Sequence, residues 1–402
     1  MQLFNPIDFR QDFPSLKGEV CYLDSATTTL TPSVVIETMA DFYRTHVRSI
    51  HQNNFSPGQA LTRLYEDARD QVARCLNVSD AQSIVWTKGT TESINLVAQS
   101  WLRSRLQPGD EIIVSEAEHH ANLIPWLMVA KQTGATVVKL PLGSDRLPDV
   151  SKLSELLKPH YTRLLAIGQM SNVTGGCPDL VSAITQAHAC GAVVMVDGAQ
   201  GIAHYPINIK ELDVDFYAFS AHKFYGPAGI GVLYGKTERL REMEPWQGGG
   251  HMVSNVSFLG FKLKSVPWCL EAGTPNIAGV IGTSTALQWF SKFNQLASER
   301  WSQELAETAE SLLIATIPGF ESYRVQGSSL LSFNIASIHG SDLATLLMHK
   351  GISLRAGHHC AIPLLSALGI TSALRASFAP YNTYHDIHAL VHAIQTTLPL
   401  LG

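Results

Sequence analysis

Ala192-Val-Val-Met-Val-Asp-Gly-Ala-Gln200 is an apolar run that stops on a carboxylate and a glycine. A run apolar at every position, rather than at alternate ones, suits a strand covered on both faces, as strands of parallel sheets are. The same form recurs at Ser83 to Thr87, Glu111 to Ser115, Thr136 to Leu142, Arg163 to Met170, Phe216 to Ser220 and Gly231 to Tyr234. Helix-like stretches lie between most of them, such as Thr91 to Leu102, Ala121 to Gln132 and Pro178 to Ala189. Strand and helix in alternation predict an α/β domain with a mostly parallel, seven-stranded sheet. The last two runs follow one another closely, which predicts one antiparallel pairing.

Beyond Gly235 the rhythm changes. Trp246-Gln-Gly-Gly-Gly-His251 reads as a loop, and one long helical stretch runs from Gly279 to about Ile317. Leu330 to Ile335 reads as a strand, Asp342 to Lys350 as a short helix, and the chain from Tyr384 onward as helix again. At 402 residues the chain exceeds the ~250–300 at which single cores stop growing. We therefore expect a large α/β domain over residues 20–265 and a smaller α+β domain made of 1–19 and 266–402.

Composition narrows the function. Charged residues are only 16% and hydrophobic ones 45%, so much of the surface of each element is expected to be buried. A net charge of -5 argues against a nucleic-acid surface. No apolar run is long enough to cross a bilayer, and the first residues lack the basic-then-apolar layout of a signal peptide. The cytoplasm is the expected compartment. Six cysteines (Cys21, Cys75, Cys177, Cys190, Cys269 and Cys360) form no CxxC pair. Five are expected to pack as small apolar residues.

Ligands of open α/β sheets bind beyond the carboxyl ends of the strands. Five strand ends here carry polar motifs: Thr87-Lys-Gly-Thr-Thr-Glu92, Glu116-Ala-Glu-His-His-Ala121, Ser171-Asn-Val-Thr-Gly175, Asp197-Gly-Ala-Gln200 and Ser220-Ala-His-Lys-Phe-Tyr-Gly-Pro227. Each alone has a plain reading. Gly-Thr-Thr before a helix is often only a turn and cap, Asp197 only a cap, and Lys223 only a solvated lysine. Together they offer what pyridoxal phosphate (PLP) needs: a lysine for its aldehyde, an acid for its pyridine nitrogen, a phosphate cup and a group for the ring face.

At this point the sequence resembles the fold-type I PLP enzymes, and within them the class V aminotransferase-like group. It looks most like the cysteine desulfurases of the SufS type and their sister, the cysteine sulfinate desulfinase. The resemblance runs from Tyr22-Leu-Asp-Ser-Ala26 to Tyr381-Asn-Thr383. Gly89-Thr-Thr-Glu92, Glu118-His-His-Ala-Asn122, Ser171-Asn-Val173, Val196-Asp-Gly-Ala-Gln200, Ser220-Ala-His-Lys223, Glu271-Ala-Gly-Thr-Pro275 and Arg355-Ala-Gly-His-His-Cys360 carry it. It implies that Lys223 holds the cofactor and shuttles protons, that Asp197 faces the pyridine nitrogen, and that His119 stacks on the ring. Gln200 would bond the phenolic oxygen. Thr90, Thr91, Ser220 and His222 would cup the phosphate, completed by Thr274 of a partner subunit. Asn172, Arg375 and Arg355 would bind substrate, and His51 would reach in from the partner, so the resemblance implies a homodimer. Gly168 to Pro178 and Arg375 to Thr383 look more like the sulfinate desulfinase. Cysteine, cysteine sulfinate and selenocysteine are the implied substrates, and a small SufE-like protein the implied sulfur acceptor.

Arg355-Ala-Gly-His-His-Cys-Ala-Ile-Pro363 reads as a loop, with Gly and Pro bracketing a thiol. Adjacent His-His-Cys is poor ligand spacing, so no metal is expected. Positive neighbours would favour the thiolate of Cys360, the nucleophilic form. In the resembled enzymes this position takes the substrate sulfur as a persulfide. The chain departs from the family at Gln52, where Arg is common and would pair with the partner's acid matching Glu92. Two other readings stay open. Another class V transaminase or β-eliminating PLP lyase would have no need of Cys360. A dinucleotide-binding protein would share the sheet, but no G-x-G-x-x-G opens the first βα unit.

Overall fold

The computed structural model describes residues 4–18, 20–45, 50 and 56–401. Its largest sheet holds seven strands: β1 (Ile84–Thr87), β2 (Glu111–Ser115), β3 (Thr136–Leu140), β4 (Thr162–Gly168), β5 (Val193–Asp197), β6 (Phe216–Ser220) and β7 (Gly231–Gly235). Their order is β1-β7-β6-β5-β4-β2-β3. Only β7 runs against its neighbours, antiparallel to both β1 and β6. The six parallel strands therefore all end on one edge.

Why the strands read as continuous apolar runs is visible in their packing. Val194 and Val196 point into one hydrophobic cluster with Ile113, Leu165, Ile167 and Phe219. Val193 and Met195 point into the other with Ile112, Val114, Leu164 and Ala218. The side-chain period is two, but both faces are dry, so no polar alternation survives. Only the edge strand β3 shows water on several residues, Lys139 among them.

A second, four-stranded sheet is antiparallel throughout. It comprises β8 (Phe320–Ser322), β9 (Leu330–Ile335), β10 (Arg355–Gly357) and β11 (Ala373–Ser377) in the order β8-β9-β11-β10. Helices Gln295–Thr316, Gly340–His349 and Tyr384–Thr397 supply Leu305, Leu313, Leu343, Leu347, Ile387 and Leu390 to its core, all fully buried. A capping box between Thr383 and Asp386 starts the last helix.

Several expectations change. The long helical stretch is two helices, Ile277–Phe290 and Gln295–Thr316. Asn294 caps the second by accepting the N–H of Ala297 at 3.0 Å, and Phe293 turns inward against Phe9. The segment read as a loop from Arg355 to Pro363 begins with β10 and ends in the helix Ile362–Ala367. Three paired residues are too few for alternation to show in a sequence. An unforeseen hairpin joins Val253–Ser257 to Gly260–Leu263, with Phe258 and Leu259 fully exposed. Of the five cysteines expected to be packed, only Cys21 and Cys269 are buried; Cys177 and Cys190 are partly open and Cys75 is exposed.

A division into domains at residues 20 and 265 is a proposal. The N-terminal segment touches both sheets: Phe9 and Phe13 pack with Tyr225 and Trp289 beside the large one. Cys21 and Tyr22 pair with Ile352 and Ser353. Glu271 is a buried lock, held by Arg69 at 2.6 Å and by the N–H of Trp86 at 2.8 Å. Removing one partner of such a pair costs about 3–5 kcal/mol.

Candidate active site

The motifs after β1, β2, β4, β5 and β6 open on one cavity of about 410 Å³. Thr90, Thr91, His119, Asn172, Asp197, Gln200, Ser220, His222, Lys223, Arg355, Cys360 and Arg375 all line it. Thr274 is exposed and does not line it in the single chain. His51 and Gln52 lie outside the described residues.

Lys223 follows β6 on a short turn, Ala221–Lys223. The turn is pinned from the N-terminal segment. The carbonyl of His222 accepts the N–H of Thr29 at 2.9 Å and the hydroxyls of Thr28 and Thr29 at 3.1 and 3.0 Å. Burial lowers the Lys223 pKa to about 8, with Arg375 adding to the effect while Asp197 and Cys360 oppose it. Asp197 ends β5 and accepts the N–H of Ala199 at 2.9 Å. Burial raises its pKa, and that N–H and Lys223 pull it back. A buried acid and a partly buried amine thus line the same cavity.

His119 is neutral. Its Nδ1 accepts the N–H of Ala121 at 3.0 Å, and burial, then Lys223, bring its pKa down to about 4. At the far end, the Ser220 hydroxyl accepts the N–H of Thr90 and bonds the Thr90 hydroxyl, both at 2.8 Å. β7 must come very close here. A Cβ on Gly231 would stand 2.4 Å from the Cα of Gly89, and Gly89 itself sits at φ 157. Both glycines are required by that approach.

Arg375, on β11, is buried. Its Nη1 donates to the Asn172 carbonyl at 2.7 Å; its Nη2 donates to Asp24 at 3.1 Å and to the Thr27 hydroxyl at 2.8 Å. Its Nε has no partner among the described residues. Arg355, paired in register with Arg375 on β10, is half exposed and reaches the other oxygen of Asp24 at 3.8 Å.

Cys360 stands at the cavity wall, half-buried, with φ 54, after His359 at φ 50. Two successive left-handed non-glycine residues cost on the order of 1–3 kcal/mol each. The neighbouring histidines are not the expected cations. His359 is buried, bonds the Ala373 carbonyl at 2.9 Å, and burial drops its pKa to about 3. The Nδ1 of His358 accepts the backbone N–H of Cys360 at 3.0 Å, so it acts as a lone-pair acceptor. Lys223 lines the same cavity, and Cys360 is among the groups that help to hold its charge.

Two participants, Glu118 and Asp24, were quoted in the motifs without a role, and a third, Thr27, follows the first motif. Glu118 is fully buried; it accepts the N–H of Gly168 at 2.8 Å and the amide of Asn122 at 2.6 Å, and burial raises its pKa to about 8. It ties the His119 segment to the end of β4. Asp24 and Thr27 ground Arg375. A carboxylate beside a His-His pair was the available signal for Glu118; nothing in the sequence marked Asp24, whose arginine lies 351 residues away. Glu92 uses its carboxylate on the N–H of Lys88 within its own loop.

The residues fit PLP. A partly buried amine, a buried acid, a neutral imidazole and a far end lined by the hydroxyls of Thr90, Thr91 and Ser220 share one cavity of suitable size.

The family model for aminotransferase class-V matches residues 21–390. The cysteine desulfurase CsdA of Escherichia coli K12 is 60% identical over 401 residues, covering 100% of each chain. A probable cysteine desulfurase of Vibrio cholerae is 43% identical, covering 98% of each. The crystal structure of Escherichia coli CsdA in an S-sulfonic acid form superposes with a TM-score of 0.95 at 59% identity, again over 100% of each chain. These matches span the strand ends, the cavity and the cysteine loop alike, and this chain belongs to the class-V aminotransferase family, on its cysteine desulfurase branch.

Proposed function

We propose that the protein is a PLP-dependent cysteine desulfurase that converts L-cysteine to L-alanine and passes the sulfur to Cys360, and that also accepts cysteine sulfinate and selenocysteine. The observation that carries this reading is the shared cavity of Lys223, Asp197 and Cys360. A transaminase would have no use for a thiol there.

When bound, PLP supplies an electron sink that labilises the substrate's Cα–H and stores the electron pair released at Cβ. Asp197 keeps the pyridine nitrogen protonated, which sustains that sink. His119 presents a neutral ring face, and Gln200 is held in place by donating to the Ala26 carbonyl at 2.6 Å. Arg375 and Asn172 hold the substrate carboxylate, with the unpartnered Nε of Arg375 as the donor left for it. Lys223 moves the proton at Cα.

The thiolate of Cys360 attacks the substrate sulfur. One S–S bond forms and the Cβ–S bond breaks, its electron pair staying with carbon. Of the two thiol protons, one ends on the alanine methyl and one on the new persulfide. Carbon is reduced and the transferred sulfur oxidised, so no outside oxidant is needed, and an acceptor thiol that takes the outer sulfur returns Cys360 to its thiol.

The working form in this reading is a homodimer, in which Thr274 and His51 of a partner subunit complete the site. Exposure of Thr274 in the single chain supports it. The proposed sulfur acceptor is a small SufE-like protein, and the proposed compartment is the cytoplasm, consistent with six free thiols. No described helix is long and apolar enough to cross a membrane.

Product analysis tests the reading. Cysteine with a dithiol reductant should give alanine and sulfide in equal amounts. Pyruvate and ammonia in place of alanine would make the protein a β-eliminating lyase.

A further inference from the structure

His119 and His120 are consecutive, yet they serve different parts of the site. His119 lines the cavity beside Lys223. His120 grips the cysteine loop at two points just after the thiol. Its backbone N–H donates to the Cys360 carbonyl at 2.7 Å, and its Nε2 accepts the N–H of Ile362 at 3.3 Å. Between those two bonds the chain completes the turn that begins with left-handed His359 and Cys360. Such backbone persists only where its surroundings impose it.

Other restraints act on the same loop. Asn172 donates to the His359 carbonyl at 2.8 Å, and His358 accepts from Cys360. Among these, His120 alone connects the loop to the segment that carries His119. Histidine suits this position because a neutral imidazole offers one acceptor nitrogen at the end of a rigid ring. Burial, then His358, hold its pKa below the usual value, so it is an acceptor at neutral pH. The N–H it takes is the first of the helix Ile362–Ala367, which no intrahelical carbonyl can satisfy.

We propose that His120 is a positioning residue for the sulfur-accepting thiol, tying the Cys360 loop to the histidine segment at the cofactor ring. The proposal deepens the desulfurase reading and rests on it. Its consequence is selective. Chemistry that uses Cys360 depends on the clamp, and chemistry that needs only the cofactor site does not.

The test uses holoenzyme carrying His120→Ala, His120→Gln or His120→Phe. Three quantities are read: alkylation of Cys360 by iodoacetamide in the resting enzyme, followed by peptide mass, and kcat and KM for cysteine and for cysteine sulfinate. His120→Ala should alkylate faster and lose about 10- to 100-fold in kcat on cysteine, the scale of a small misplacement of a reacting group. Its KM for cysteine and its sulfinate turnover should stay within about twofold of wild type. His120→Gln, which keeps an acceptor, should recover part of the loss; His120→Phe, which keeps only the bulk, should not. Equal losses on the two substrates, unchanged alkylation in His120→Ala and His120→Phe, or full rescue by Phe would each overturn the proposal. Wild-type enzyme that forms no alanine from cysteine would instead fail the desulfurase reading, and the alkylation rates would still decide the clamp.

Discussion

Arg375 donates through Nη1 to the carbonyl of Asn172 at 2.7 Å, while its buried Nε meets no acceptor among the described residues. A buried donor without a partner costs about 1–3 kcal/mol. A substrate carboxylate bonded to Nε removes that cost, while Asn172, Asp24 and Thr27 hold the two Nη groups in place. Arg375→Lys keeps the charge and loses the Nε donor together with the planar group that positions it. Steady-state kinetics should show kcat/KM on cysteine reduced about 10- to 100-fold, mostly through KM. A loss confined to kcat would place the carboxylate elsewhere.

Lys223 should titrate near pH 8. Burial disfavours its charged form, so its folded pKa of about 8 lies below the ~10.4 of an unfolded chain. Between those values the unfolded state binds more protons, so this lysine's contribution to apoprotein stability rises with pH from about 8 to ~10.4. Below 8 the buried charge is at its most unfavourable. The free amine is also the form that bonds the cofactor's aldehyde. Reconstitution of apoprotein with PLP should therefore speed up about tenfold per pH unit below 8 and level off above it. Glu118 titrates in the same range, and a Glu118→Gln control assigns the inflection. Borohydride should fix pyridoxyl to Lys223; a label on Lys88 would contradict the assignment.

Thr274 gives the dimer proposal a sharp form. A mixed dimer of Lys223→Ala and Thr274→Ala subunits contains one site with both residues intact and one with neither. Activity well above that of either homodimer should return, at about half the wild-type value per dimer if sites act independently. Hybrids no more active than the parents would show that Thr274 serves its own subunit or none.

The strand ends were readable because they are local. Each of β1, β2, β4, β5 and β6 is an apolar run, and Gly89, His119, Asn172, Asp197 and Lys223 lie on them or within four residues of their ends, where parallel sheets gather ligands. What the sequence hid depends on distant pairing. Asp24 meets Arg375 only because a bridge joins it to Ser377. β10 is too short to carry a pattern, so Arg355 looked like a loop residue. The error at Cys360 has a similar source. Neighbouring histidines in a sequence suggest positive charge, but His359 is buried with its pKa lowered, and His358 spends a ring nitrogen accepting the N–H of Cys360.

The central claim is that Cys360 takes the sulfur while Lys223, Asp197 and Arg375 perform everything else. Cysteine's sulfur leaves only to a nucleophile, whereas a sulfinate group departs unaided as sulfur dioxide. Alanine formation from both substrates, measured on one preparation of Cys360→Ala, separates the two. The account predicts a loss of about 100-fold or more on cysteine, the scale of removing a catalytic nucleophile, with most of the activity on cysteine sulfinate retained. Equal losses on both substrates would contradict it, and Cys360 would then be a residue that shapes the cavity rather than one that receives sulfur.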